Sequence, residues 1–145
     1  MEEGFSSLWV RFRLSTRLRE CVYDVAAALR YLTDEGIPVA ALVGHSLGGA
    51  VVIRAAAGST MVRTAVALAG QSSGAEQASQ LGPRCSLLLA HGTGDEVVPS
   101  SRSESIFHLA REPKELVLFE GAGHALHEAA AEVRELVRAW LKARL

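Results

Sequence analysis

The chain has 145 residues, fifteen Lys and Arg against sixteen Asp and Glu for a net charge of −1, and 49% hydrophobic against 21% charged side chains. That is enough for one domain with a single core, and it excludes an intrinsically disordered chain. The balanced charge excludes a polybasic nucleic-acid or membrane surface, no apolar run approaches the ~18 to 20 residues of a membrane span, and the acidic start Met1-Glu2-Glu3 is unlike a secretion signal, so a cytoplasmic protein with no nucleic-acid or membrane partner is expected.

Leu8-Trp9-Val10-Arg11-Phe12-Arg13-Leu14 alternates apolar and polar residues and predicts an edge strand with one wet face. Leu18, Val22, Val25, Leu29 and Leu32 then recur at helical spacing behind Ser15-Thr16, and Gly36 with Pro38 ends that helix. Val39 to Val43 reads as a buried strand, Leu47 to Ala57 as a helix and Thr64 to Ala69 as a second buried strand. A polar loop rich in Gly, Ser and Gln runs from Gly70 to about Arg84, followed by a strand from Ser86 to His91. Ser101 and Glu104 have the spacing of a capping box ahead of a helix with Ile106, Phe107 and Leu109. Glu115 to Phe119 is the last predicted strand, and Val133, Leu136, Val137, Trp140 and Leu141 mark one side of a closing helix.

Near-continuous apolar strands alternating with helices imply an α/β fold: a mostly parallel sheet of about five strands, covered by helices on both faces. In such sheets ligands bind beyond the carboxyl ends of the strands. Three motifs lie at such ends: Gly44-His45-Ser46-Leu47-Gly48, the run His91 to Pro99 containing Gly94-Asp95, and Gly121-Ala122-Gly123-His124. The first is a G-x-S-x-G pattern between a strand and a helix, which places a serine on a sharp, strained turn with its hydroxyl exposed. Its flanking glycines, Gly44 and Gly48, carry no Cβ to collide with the neighbouring elements.

The order Ser46, Asp95, His124 within these motifs resembles that of the α/β-hydrolase family, and specifically its small, lid-poor serine esterases of the dienelactone-hydrolase-like sort. The resemblance runs from about Asp24 to the C-terminus and implies one α/β-hydrolase-like domain over residues 1–145. It implies Ser46 as nucleophile, His124 as the base that takes its proton, and Asp95 as the carboxylate that orients and stabilises the imidazole. Leu47, next after the nucleophile, would offer its backbone N–H to the oxyanion at a helix N-terminus. Val97, Val98 and Leu126 are the apolar residues nearest these groups in sequence and are candidates for the substrate pocket. The resemblance implies cleavage of small soluble carboxylic esters or thioesters through an acyl-enzyme; serine at position 46 disfavours dienelactone hydrolase itself, which carries a cysteine nucleophile, and the dehalogenase and epoxide hydrolase relatives, which carry an aspartate. Acyltransferase, peroxidase and lyase relatives share the same three residues. Where relatives insert a lid, this chain has only the Gly70 to Arg84 loop, which favours short acyl groups.

Each residue also has a plainer reading. Ser46 suits any tight turn, Asp95 a turn or helix cap, and His124 a surface loop; His45 reads as a packing residue, and Glu96 and Glu120 as solvating charges. Cys21 and Cys85 read as buried small residues without pairing. His91, His108 and His127 lack the surrounding carboxylates or thiols of a metal site, so no metal and no cofactor is expected.

The sequence departs from the resemblance at its N-terminal side, where the family's early strands and its second oxyanion donor have no counterpart before Gly44. Loss of one such donor costs roughly 10²- to 10³-fold in kcat. The alternative reading is therefore a truncated, weakly active or inactive homologue serving as an oligomeric or binding protein. Either Leu8 to Leu14 pairs directly with Val39 to Val43 or the sheet has an open slot there, and such an open N-terminal edge predicts a homodimer or higher oligomer through it, with the partner able to lend the missing donor.

Overall fold

The computed structural model of the protein describes residues 4–145; the acidic start Met1-Glu2-Glu3 lies outside them. In chain order the elements are helix α1 (Leu18–Asp34), strand β1 (Ala40–His45), α2 (Leu47–Ala57), β2 (Val62–Leu68), β3 (Ser86–Gly92), α3 (Ser101–Leu109), β4 (Lys114–Phe119) and α4 (Ala130–Lys142). The strands form one sheet in the order β1-β2-β3-β4, and every neighbouring pair is parallel.

Side chains alternate across such a sheet, so each strand feeds two layers. Ala65, Ala67, Leu87 and Leu89 join Val25 and Leu29 of α1, Val51 of α2 and Ile106 of α3 in the larger core. Val66 and Leu88 face the other way, onto Trp140 of α4. The Trp140 indole N–H donates to the Thr64 hydroxyl at 2.7 Å, which satisfies the polar edge of a buried ring. Helices therefore cover both faces. The apolar residues Leu18, Val22, Val25, Leu29 and Leu32 all belong to the α1 contact with the core, and Gly36, at φ 79°, takes the left-handed conformation that ends the helix region.

Two expectations change. Among the described residues the sheet has four strands, because Leu8 to Leu14 forms none and pairs with nothing in the sheet. Its alternation is real but has another origin: Val10 and Phe12 pack on the core while Trp9 is 94% exposed, so an extended segment shows period two without a ladder. The Arg13 amide and guanidinium both donate to the Asp24 carboxylate of α1 and fasten this segment to the helix. The capping box is also absent, since α3 has Ser100 as its N-cap residue and makes no side-chain cap bond; Ser101 and Glu104 lie inside the helix.

The outer edge of β1 meets no strand among the described residues. Beside it, on the α4 side, Val43, Leu68, Val137, Leu141 and Phe5 line an apolar groove of about 760 Å³. The Gly70 to Arg84 segment carries a short 3-10 turn, Glu76–Gln80, and its Ala75, Ala78 and Leu81 are buried in the larger core. It thus packs inward and builds no cap. No helix among the described residues is long and apolar enough to cross a membrane.

Candidate active site

Between the last residue of β1, His45, and the first of α2, Leu47, the chain reverses at Ser46 alone, which takes φ 58° and ψ −119°. A residue with a Cβ seldom occupies that region, and surrounding structure must hold it there. The Ser46 N–H donates to the carbonyl of Leu68 at 2.9 Å, tying the turn to the end of β2. Backbone crowding is severe: a Cβ on Gly44 would collide with the Gly48 carbonyl, and one on Gly49 would lie 2.8 Å from Gly70 Cα. A Cβ on Gly48 meets open space, so Gly44 and Gly49 are the positions that demand glycine, where the motif had suggested Gly44 and Gly48.

Asp95 follows β3 in a turn whose Gly94 N–H donates to Ala122 O at 2.9 Å. Its side chain has no solvent exposure. Oδ1 accepts the amides of Val97 and Val98, at 2.9 and 2.8 Å. Oδ2 accepts from His124 Nδ1 at 2.8 Å and from His91 Nε2 at 3.1 Å. Burial pushes the Asp95 carboxyl up, but the hydrogen bonds from His124, Val98 and Val97 together outweigh it and hold it below the ordinary carboxylate range.

The loop after β4 carries His124. Gly121 at φ 75° opens it and donates to Thr93 Oγ1 at 2.7 Å, and the Gly123 N–H donates to Glu128 Oε2 at 3.2 Å. An ionised carboxylate can only accept, so the proton on the His124 ring sits on Nδ1 and Nε2 presents a lone pair. That lone pair faces the Ser46 hydroxyl, 3.1 Å away. The arrangement can draw a proton from Ser46 and hold the resulting imidazolium against a buried negative charge.

The structure thus brings Ser46 and Asp95 within hydrogen-bonding reach of the two ring nitrogens of His124. Leu47 heads α2, where the first-turn amides have no acceptor within the helix. Val97 is 71% exposed, Val98 half-buried, and Leu126 buried against Ala122, Ala129 and Val133 at φ 58°. Glu96 and Glu120 are exposed. His45 does more than pack, since its Nε2–H donates to the His124 carbonyl at 2.7 Å. His91, fully buried, was legible as the first residue of the run His91 to Pro99, four places before Asp95, but its bond to Asp95 was not. Among the described residues no group of His, Cys, Asp and Glu is placed to hold a metal ion. Cys21 and Cys85 are buried free thiols whose burial pushes them up from the usual thiol range, which disfavours the reactive thiolate.

The family model described as "Dienelactone hydrolase family" matches residues 8–143. Among solved structures, the esterase domain from a Rhodothermus marinus protein is 27% identical with a TM-score of 0.75, over 85% of this chain and 68% of that one. Dienelactone hydrolase from Anabaena variabilis is 25% identical with a TM-score of 0.80, over 92% of this chain and 63% of that one. An alpha-beta serine hydrolase homologue from Coxiella burnetii shares the fold at 23% identity and a TM-score of 0.74, over 95% of this chain and 65% of that one. The chain therefore spans about two thirds of the length of these structures. No curated protein matches its sequence.

Proposed function

The chain belongs to the dienelactone hydrolase family, and from that premise we propose that it is a serine hydrolase cleaving small soluble carboxylic esters or thioesters through an acyl-enzyme on Ser46. The observation that carries this reading is the continuous line from Ser46 Oγ through His124 to Asp95, at 3.1 and 2.8 Å, on a serine held at positive φ.

In the first half-reaction Ser46 Oγ attacks the substrate carbonyl carbon while its proton passes to His124 Nε2. The carbonyl oxygen becomes an oxyanion and accepts the Leu47 N–H, in the field of the α2 N-terminus. Asp95 stays ionised and stabilises the imidazolium. When the tetrahedral intermediate collapses, His124 returns that proton to the departing alcohol or thiol, leaving the acyl group on Ser46. A water then loses a proton to His124, attacks the acyl carbon and releases the acid, and the proton goes back to Ser46 Oγ. Val97 and Val98 beside Asp95 supply apolar surface to the substrate, whereas Leu126 is committed to packing against Ala122, Ala129 and Val133 and offers little.

A second reading, a weakly active homologue acting as an oligomeric protein, draws support from the outer edge of β1, which no strand among the described residues covers. A fluorophosphonate probe distinguishes the two when read together with turnover of p-nitrophenyl acetate and butyrate. Labelling at Ser46 with turnover that disappears in Ser46→Ala is the expected result. An unlabelled serine, or a Ser46→Ala variant as fast as the parent, rejects the first reading.

A further inference from the structure

His91 is the only fully buried titratable side chain in β3, and no step of the proposed reaction uses it. The rest of the strand, Ser86-Leu87-Leu88-Leu89-Ala90 and Gly92, is buried too, so a leucine at 91 would suit the packing and avoid desolvating two ring nitrogens. Both nitrogens are in fact matched. Nε2 lies 3.1 Å from Asp95 Oδ2 and 2.8 Å from Val98 O; both are acceptors, so Nε2 carries a proton and donates to both. On the other side of the ring the Ser103 hydroxyl of α3 donates to Nδ1 at 2.6 Å.

We propose that His91 is a positioning residue, which holds Oδ2 of Asp95 against His124 and shares the charge of that oxygen. Oδ2 receives two N–H donors, one from each histidine, while Oδ1 is occupied by the Val97 and Val98 amides. With all four acceptor positions filled, the carboxylate has one orientation. The donor from His91 also draws negative charge away from the side that faces His124, which sets how strongly Asp95 favours the imidazolium. Ser103 fixes the ring plane of His91, and so extends the line from α3 to Ser46. The other ionisable groups near this line are His45, whose ring centroid lies 4.9 Å from that of His124, Glu128, whose carboxylate accepts the Gly123 N–H, and the exposed Glu96 next to Asp95. Because His91 touches neither substrate nor Ser46, its effect passes through Asp95 and His124 alone.

This inference rests on the proposed serine hydrolase reading, and the experiment separates the two. Fluorophosphonate labelling of Ser46 in the parent tests that reading by itself. The pH dependence of kcat is then compared for the parent, His91→Leu, His91→Gln and Ser103→Ala, each shown to melt cooperatively. His91→Leu removes the donor, so Oδ2 regains charge and the acid limb of the profile moves to higher pH. At the same time kcat falls about tenfold, the worth of one charge-assisted hydrogen bond, and KM is unchanged. His91→Gln, whose amide reaches the place of Nε2, restores most of both. Ser103→Ala shifts the limb in the same direction by a smaller amount, and it remains informative should His91→Leu fail to fold. A labelled, active parent whose folded His91→Leu or Ser103→Ala variant keeps the parent profile overturns the proposal, as does a Gln variant no better than Leu.

Discussion

The ring of His45 donates through Nε2 to the carbonyl oxygen of His124 at 2.7 Å, and the two rings lie 4.9 Å apart with their planes at 48°. The residue before Ser46 thereby fixes the backbone of His124, across 79 positions of sequence. Replacing His45 with Ala frees that carbonyl and loosens the His124 loop. A neutral hydrogen bond contributes about 1 kcal/mol, so kcat for a short ester is expected to fall about fivefold while Ser46 remains labelled by a fluorophosphonate. A His45→Ala variant with parental kcat would show that Thr93 and Glu128 hold the loop unaided.

Acid stability should report on Asp95. Its carboxyl titrates lower in the folded chain than in the unfolded one, where the value is about 3.9. The stability it contributes is therefore fully present above that unfolded value and is lost as pH falls through the lower folded one. Asp24 is depressed in the same sense by the Arg13 amide and guanidinium, and adds to the same acid limb. Melting temperatures taken from pH 7 down to 3 should drop for the parent at the acid end. They should drop less in Asp95→Asn, which starts lower because four donors then face a neutral amide. Parallel curves for the two proteins would contradict the assignment.

The crowding at the serine turn predicts an asymmetric response to alanine. Gly44→Ala forces a Cβ against the Gly48 carbonyl, a backbone atom that cannot move aside, and should destabilise by roughly 1–3 kcal/mol or more. Gly48→Ala meets open space in the first turn of α2, and should be neutral or stabilising by up to ~1 kcal/mol through helix propensity. Thermal or urea melts of the two variants decide the matter, and equal losses would refute it.

Legibility in the sequence followed the range of the forces involved. The helix Leu47 to Ala57 was readable to the residue, because a glycine-serine turn and an apolar run act locally. The two-sided cover of β2 and β3 was readable because the runs Ala65 to Ala69 and Leu87 to Ala90 are continuously apolar. Leu8 to Leu14 was misread because extended backbone and paired strand share one period, and only hydrogen-bond partners tell them apart. Ser101 and Glu104 satisfied a spacing rule one residue out of register with the true N-cap. The candidates Ser46, Asp95 and His124 could be named from motifs, and His91 stands in the same run as Asp95, four places before it; the links from His91 to Ser103 and from His45 to His124 span 12 and 79 positions and leave no local pattern.

Substrate length should follow from the inward packing of residues 70–84. With Ala75, Ala78 and Leu81 committed to the core, that segment offers no apolar roof over Ser46. Each methylene left in water forgoes the ~0.8 kcal/mol that burial would supply. Rates across a series of p-nitrophenyl esters should therefore peak at short acyl groups and fall beyond about eight carbons. A maximum at palmitate would point to an apolar acyl channel instead.

The remaining expectation concerns association of the 145-residue chain with itself. One edge of β1 has no strand beside it among the described residues, and a parallel edge strand leaves N–H and C=O groups that favour pairing. Next to that edge Val43 is 47% exposed and forms the floor of the apolar groove with Leu68, Val137 and Leu141. Two copies related by a two-fold axis would cover both features at once, since each copy presents the same edge and the same groove. Sedimentation at micromolar concentration should then give at least twice the 15.4 kDa of one chain. Val43→Glu places a charge at the centre of the contact and should return the monomer without unfolding it, as the side chain already faces water in the single copy. If the dimer also lends the second oxyanion donor, the Val43→Glu monomer should lose roughly 10²- to 10³-fold in kcat while keeping Ser46 and His124 in place. A parent chain that sediments as a monomer with full esterase activity would defeat both parts, and would place the second donor within one chain.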